Sequence, residues 1–240
     1  MLIKNNINGL ELKSQWQCLL QSLPPNLPQN SLDDRRRGNR VLLELVNAYS
    51  TNNRFYHSLD HIKHTLEVIT SLKSQAKNYP AIQLAGWFHD VVYHPKAKDN
   101  EEKSAAYAAK ILTQLTVSQP TIDAVTRMIL NTKHHQADPE DIDSQILLDA
   151  DLAILGASES TYRFYAKGIR REYAWLSNDD YRLGRIDVLK QFFDRSRIYF
   201  TEPMFQQYEA QARQNMLLEI EALCSSDSYL ELYPTNSLAA

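Results

Sequence analysis

The stretch AIQLAGWFHDVVY, residues 81–93, indicates how this chain folds. Its apolar side chains recur at the spacing of one buried helical face: Leu84, Ala85, Phe88, Val91 and Val92. Pro95 follows closely, and because proline disfavours helical backbone at the residue before it, we predict a buried helix ending near Tyr93. Two adjacent polar residues, His89 and Asp90, interrupt this apolar helix close to its end.

Helical spacing covers most of the remaining chain and predicts an all-α fold. Two expected helices begin near residue 32 and at residue 59, the latter with Ser58 as N-cap. The others are expected at about 10–23, 101–115, 121–134, 160–175, 181–193 and 202–224. The run at 146–155 fits a helix or a strand by periodicity alone, and its helical surroundings favour a helix. Glycine is scarce, at 6 residues, which leaves few tight hairpin turns.

The composition is that of an ordinary globular protein, with 43% hydrophobic and 23% charged residues in 240. The net charge of −3 argues against a surface for nucleic acid polymers, but it is compatible with a small phosphate ligand. Cys18 and Cys224 lie far from the histidines in sequence, which disfavours a thiolate zinc site and predicts a reduced, cytoplasmic protein. We find no signal-peptide pattern and no apolar run of about 18 residues, so we expect no membrane association.

The histidines are confined to one third of the chain, which predicts a functional site there. All 7 fall between residues 57 and 135: His57, His61, His64, His89, His94, His134 and His135. Imidazole is a common metal ligand, and the acids Asp90, Asp149 and Asp151 follow in or after this region. A histidine, then the His89–Asp90 pair, then a later aspartate would supply donors suited to a divalent cation, which predicts metal-assisted hydrolysis.

Three motifs then carry a family resemblance. YHSLDHI at 56–62, AGWFHDVVY at 85–93 and LLDADLAILG at 147–156 together resemble the HD superfamily of metal-dependent phosphohydrolases. The chain looks most similar to a bacterial branch described only as predicted HD phosphohydrolases. The resemblance implies a helical bundle forming one HD-type domain over residues 1–240. Its motif-bearing core would cover about 40–175, with additional C-terminal helices at 176–224 packed on it.

The resemblance also implies a ligand set for the divalent ion, which could be Mn, Zn, Fe, Ni, Co or Mg. His61 matches the first ligand, and His89 and Asp90 match the doublet that names the family. Asp151 matches the last ligand because an apolar helical run follows it, with Asp149 as the alternative. Several relatives carry a basic residue after the last aspartate, and Leu152 stands there instead, which argues against alarmone nucleotides as substrates.

Further residues around these motifs are candidates for contacts with substrate and for proton transfer. Asp90 and His94 are the predicted catalytic residues. The predicted substrate-binding residues are Arg54, His57, Lys133, His134 and His135. The last two could instead stabilise the negative end of a helix dipole. Glu101 could accept a hydrogen bond from a ligand imidazole, or it could be a favourable acid in a first helical turn.

These observations predict a phosphohydrolase that cleaves a small phosphate ester or a nucleotide with metal-activated water. The resemblance leaves two alternatives open: a di-iron oxygenase, and a non-catalytic regulatory module that binds a nucleotide. The region after Tyr162 is rich in tyrosine and arginine. It could complete the core, cover the site or form the face of a homodimer.

Overall fold

The structure, a computed structural model, describes residues 7–23, 32–225 and 233. Within these residues all regular structure is helical, which confirms the predicted all-α class. The α-helices are α1 (Ile7–Ser22), α2 (Leu32–Tyr49), α3 (Leu59–Ser71), α4 (Tyr79–Phe88), α5 (Asn100–Gln114), α6 (Gln119–Thr132), α7 (Ile142–Leu152), α8 (Glu159–Glu172), α9 (Asn178–Phe193) and α10 (Glu202–Cys224). Short 3₁₀ turns follow α3 and α7, at Lys73–Gln75 and Ala153–Gly156.

The two central helices of the core are α4 and α7. Nearly every residue of α4 is apolar, so the helix buries its whole circumference, including Trp87 and Phe88. It packs against α3, α6 and α7, while α7 also contacts α3 and α6. The C-terminal ends of both central helices therefore lie inside the molecule, where polar side chains need partners.

Helix α3 lies close against α4 because a glycine faces it. The apolar stripe of α3, which includes Leu66 and Ile69, is buried. A Cβ at Gly86 of α4 would lie only 2.8 Å from Ile69 Cδ1, so the absence of a side chain permits this approach. Ser58 occupies the N-cap position of α3 as predicted, and the first turn of the helix brings His61 towards the end of α4.

The prediction that α4 continues to Tyr93 is wrong, because the helix ends at Phe88 with His89 as its C-cap. The guanidinium of Arg54 holds the backbone that follows this end. Its Nη1 donates to the Asp90 carbonyl at 2.7 Å, and its Nη2 donates to the Val91 carbonyl at 2.9 Å. These carbonyls are therefore satisfied by a side chain from a distant loop, and the chain leaves the helix at the His89–Asp90 pair.

The C-terminal helices pack on the 3₁₀ turn that follows α7. Asn215 of α10 donates from Nδ2 to the carbonyls of Leu155 and Ala157, at 2.8 and 2.9 Å. A Cβ at Gly156 would lie 2.7 Å from the backbone oxygen of Tyr208, so glycine is required at this contact. Helix α10 is 23 residues long, but none of the helices in the described ranges combines the length and apolar character needed to cross a membrane.

Candidate metal centre

Three predicted donors meet where the first turn of α3 reaches the ends of α4 and α7. One ligand atom each from His61, His89 and Asp151 lies within 4.8 Å of the other two. The two Nε2 atoms are 3.1 Å apart, and Asp151 Oδ1 lies 3.2 Å from His61 Nε2 and 3.5 Å from His89 Nε2. This group could hold a metal ion.

Asp90 lies beside the same two imidazoles. Its Oδ2 is 3.3 Å from His89 Nε2 and 3.5 Å from His61 Nε2. His89 keeps helical backbone angles at the end of α4, and both side chains of the doublet reach the same cluster. The imidazoles are almost inaccessible, with 1% of each side chain exposed, whereas the Asp90 and Asp151 side chains are 18% and 15% exposed. The carboxylates therefore form the accessible side of the cluster.

The separations between these donor atoms fit ligands that share one ion. Ligands about 2.1 Å from a metal are separated by about 3.0 Å at a right angle and about 3.4 Å at a tetrahedral angle. The His89 ring is also held in the orientation that such a site requires. Its Nδ1 lies 3.0 Å from the Gly86 carbonyl oxygen, which can only accept, so Nδ1 carries the proton and Nε2 faces the cluster.

The electrostatics of the cluster favour a positive charge at its centre. Burial lowers the pKa of His89, but the carboxylates of Asp90 and Asp151 outweigh burial and raise this pKa well above its ordinary value. Burial raises the pKa of Asp151, but His89 and the other imidazoles around it hold this pKa well below its ordinary value. Burial likewise raises the pKa of Asp90, but His89 holds this pKa below its ordinary value. Both carboxylates are therefore ionised at neutral pH and would stabilise a cation between the imidazoles.

Asp149, the alternative ligand, has a different position and different partners. Its buried carboxylate accepts hydrogen bonds from Phe200 N, Thr201 N and Thr201 Oγ1, each at 2.7 Å. Burial raises the pKa of Asp149 to about 6, although these hydrogen bonds oppose the shift. Of the two aspartates, it is Asp151 that faces His61 and His89.

His57 is held by a buried acid that the sequence did not reveal. Its Nδ1 lies 2.6 Å from Oε2 of Glu172, the last residue of α8. The Glu172 carboxylate also accepts hydrogen bonds from the backbone N–H groups of Phe55, Tyr56 and His57 and from the Tyr93 hydroxyl. Burial lowers the pKa of His57, but Glu172 outweighs it, so this pKa lies above its ordinary value. An acid in a last helical turn is unfavourable because it opposes the helix dipole. This is the one feature of the sequence that could have drawn attention to Glu172.

A cavity of about 620 Å³ opens beside the cluster. Asp90, Asp151 and His57 line it, and its walls are mainly aromatic and aliphatic. The tyrosines among its lining residues are Tyr56, Tyr93, Tyr165, Tyr173 and Tyr181. The cationic side chains of the lining are Lys98, Lys133 and Arg185. The volume is within the usual range for sites that bind small molecules.

Two of the predicted functional residues have other surroundings. Arg54 does not line the cavity, and its guanidinium donates to the backbone carbonyls of His57, Asp90 and Val91. Arg54 therefore supports the backbone of the His89–Asp90 doublet. We had expected it to contact a phosphate group of the substrate. His94 is exposed and also lies outside the cavity lining, and its Nδ1 accepts a hydrogen bond from Lys96 N at 3.2 Å.

The other predicted residues do line the cavity: Glu101, Lys133, His134 and His135. Lys133 pairs with Glu102 and donates to the Lys98 carbonyl at 3.0 Å. His135 Nε2 lies 3.0 Å from Asp151 Oδ2, so it touches the cluster directly. His89 donates its Nδ1 proton to the Gly86 carbonyl. Glu101 therefore lines the cavity but does not accept the hydrogen bond from His89 that we predicted for it.

Comparison with known proteins adds no relative, because no family model, no curated protein and no solved structure matches the chain. The residues of the centre and the cavity beside it therefore carry the functional interpretation.

Proposed function

We propose that this protein is a metal-dependent phosphohydrolase of the HD type that cleaves a small phosphate ester or a nucleotide. The observation that carries the proposal is the meeting of His61, His89, Asp90 and Asp151 at one side of a cavity. Imidazole and carboxylate donors that converge from distant segments beside a cavity are the arrangement that binds a divalent cation.

The donor set fits a first-row transition ion. Two imidazole nitrogens with carboxylate oxygens suit Mn, Zn, Fe, Ni or Co, whereas Mg prefers an environment of oxygen ligands only. When bound, such an ion lowers the pKa of a coordinated water and polarises a phosphoryl oxygen. The two carboxylates are on the accessible side, which leaves that side open to a phosphate group.

His57 is the residue best placed to transfer a proton to the leaving oxygen. Glu172 holds its Nδ1, so Nε2 is the nitrogen that remains for a ligand in the cavity. The carboxylate beside it stabilises the protonated ring. We therefore assign to His57 the proton transfer that the sequence had suggested for His94.

The cavity favours a substrate with one phosphate group and an organic part of moderate size. Its tyrosine and aliphatic walls suit an aromatic or apolar group such as a nucleobase. The cationic lining is limited, since Arg185 forms an ion pair with Glu219 and Lys133 pairs with Glu102. A polyphosphate chain would therefore depend on Lys98 and the metal ion for compensating charge.

Metal analysis of the purified protein, combined with a phosphate-release screen over sugar phosphates and nucleotides, tests the proposal. We expect a bound divalent ion and phosphate release that Asp151→Asn abolishes, while Asp123→Asn on the exposed face of α6 keeps it. Two iron ions with oxygen uptake would instead identify an oxygenase. Tight nucleotide binding without metal or turnover would identify a regulatory module.

A further inference from the structure

The turn after α6 contains a residue with an unusual backbone conformation. His135 has a φ of 47°, in the left-handed region that glycine favours after a helix and that a side chain disfavours. Such a conformation persists only where the surrounding structure holds it in place. The contacts around His135 therefore show what the fold maintains there.

The backbone of this turn is held by one arginine from the loop between α9 and α10. Arg195 donates from Nη1 to the His135 carbonyl at 2.9 Å and from Nη2 to the His134 carbonyl at 3.0 Å. Its guanidinium also lies over the Phe192 ring, at 4.8 Å from the centroid. The same ring meets the His135 imidazole edge-on, at a centroid distance of 5.3 Å. Arg195 and Phe192 thus fix both the backbone and the ring of His135.

The imidazole held in this way contacts the metal centre. His135 Nε2 lies 3.0 Å from Oδ2 of Asp151, while Oδ1 of the same carboxylate lies 3.2 Å from His61 Nε2. Each oxygen of Asp151 therefore has a separate partner. The contact from His135 fixes the rotation of the carboxylate and directs Oδ1 at the cluster.

The loop that carries Arg195 is itself anchored to the helix that carries Asp151. Arg213 of α10 donates to the carbonyls of Phe193 and Arg195, at 2.8 and 2.7 Å. At the other end of the loop, Asp149 of α7 accepts from Phe200 N and Thr201 N. The loop therefore connects α7 back to the turn that orients Asp151, and all of these connections are short hydrogen bonds.

We propose that Arg195 is a positioning residue for the metal centre. It holds His135 in its left-handed conformation, and His135 in turn directs Oδ1 of Asp151 towards a divalent cation. The inference rests on the proposed function only in requiring that the centre binds such a cation. The Asp149 carboxylate also contributes to this positioning, because it anchors the loop on which Arg195 lies.

The test measures Mn²⁺ affinity of the full chain from the electron paramagnetic resonance signal of the free ion. Arg195→Ala should weaken Mn²⁺ binding by about tenfold to a hundredfold, the usual cost of losing support for a metal ligand. The matched control is Arg197→Ala, from the same loop. Arg197 also lies over a phenylalanine, Phe205, but it pairs with the exposed Glu202, so Mn²⁺ affinity should stay within about twofold.

A double-mutant cycle separates positioning through His135 from a general effect on folding. His135→Ala should weaken Mn²⁺ binding as Arg195→Ala does. The Mn²⁺ affinity of the double variant should be no lower than that of the single variant that binds Mn²⁺ less tightly. If Arg195→Ala does not fold, Arg195→Lys serves in its place, because one ammonium group cannot reproduce both guanidinium contacts.

Two results overturn the inference while the proposed function stands: wild-type Mn²⁺ affinity in a folded Arg195 variant, or additive effects of the Arg195 and His135 substitutions. If the wild-type chain itself does not bind Mn²⁺, the inference and the proposed metal dependence fail together. Circular dichroism of each variant confirms that the helical fold is kept in these comparisons.

Discussion

Two clusters of the protein hold carboxylates against basic side chains and balance the acidic charge in different ways. In the arginine–tyrosine cluster, which consists of Arg185, Glu219, Tyr162, Tyr165 and Tyr233, the Glu219 carboxylate receives two hydrogen bonds from Arg185 and one each from Tyr162 and Tyr233. In the metal centre, Asp90 and Asp151 face imidazoles, which carry a positive charge only when protonated.

This difference separates a cluster that the chain completes by itself from a candidate metal centre. Arg185 is a permanent cation, so the arginine–tyrosine cluster is complete within the chain and has donors for both Glu219 oxygens. The metal centre lacks a permanent cation among its donors, and its acidic side opens onto a cavity. Acids therefore indicate a candidate binding site here where their partners are titratable imidazoles and not a permanent cation.

The largest effect that distinguishes the two clusters should come from removing a donor of the metal centre. We expect His89→Ala and Asp90→Ala each to abolish metal retention through dialysis, since each removes a donor that no neighbouring residue replaces. Helical content should survive, because the cluster contributes little apolar packing. Metal content per chain and circular dichroism measure both outcomes.

His64→Ala is the matched control for these two variants. His64 lies on α3 one turn from His61, but it is partly exposed and outside the group of donor atoms. Metal content should match that of the wild type. If Asp90→Ala kept its full metal content, Asp90 would not be a ligand.

The opposite outcome is expected in the arginine–tyrosine cluster. Glu219→Ala leaves Arg185 buried without its partner, which should lower the free energy of unfolding by about 3–5 kcal/mol. Metal affinity of the folded variant should be unchanged, since Glu219 lies outside the donor group. Denaturant unfolding measures the loss, and a loss below about 1 kcal/mol would show that the ion pair is replaceable.

A smaller effect should follow from weakening the support of His57. Glu172→Gln keeps an acceptor for the backbone N–H groups but removes the charge that stabilises the protonated imidazole. We expect kcat to fall by about tenfold to a hundredfold, with metal content unchanged, because the variant loses part of the roughly 10²–10⁴-fold that a positioned proton donor contributes. His94→Ala should retain activity, and a larger loss in His94→Ala than in Glu172→Gln would return the proton-transfer role to His94.

The smallest effect concerns the acid dependence of stability. Burial raises the pKa of Glu219, but Arg185 and the tyrosine hydroxyls outweigh it, so this pKa lies below the ordinary value of 4.5. The stability from this carboxylate is therefore fully present above that ordinary value and is lost as pH falls through the folded-state pKa. Unfolding measured across acidic pH should show a shallower decline in Glu219→Gln than in the wild type, and equal slopes would contradict this origin.

The sequence predicted those parts of the protein that depend on local patterns. The apolar spacing of α3, α4 and α6 led to the all-α class. The confinement of histidine to one region indicated a metal site, and the resemblance carried by three motifs selected His61, His89 and Asp151 within it. The ambiguous run at 146–155 is helical over α7, as its surroundings favoured. These features are encoded within a few turns of helix.

Features that depend on contacts between distant segments could not be read in this way. The backbone that follows the early end of α4 is held by Arg54, which donates to the Asp90 and Val91 carbonyls from a loop far away in sequence. Glu172 reaches His57 across 115 residues of chain. Arg195 holds the His135 turn from a loop 60 residues beyond it. Arg54 and Arg195 do not differ in local sequence from ordinary surface charges, and Glu172 differs only in lying in a last helical turn.

The most direct measurement is anomalous X-ray diffraction from a crystal grown with Mn²⁺. A single strong anomalous peak should lie at about 2.0–2.3 Å from the Nε2 atoms of His61 and His89 and from the Asp90 and Asp151 carboxylates. No peak among these four side chains, while they keep the arrangement described above, would contradict the assignment of this cluster as a metal centre.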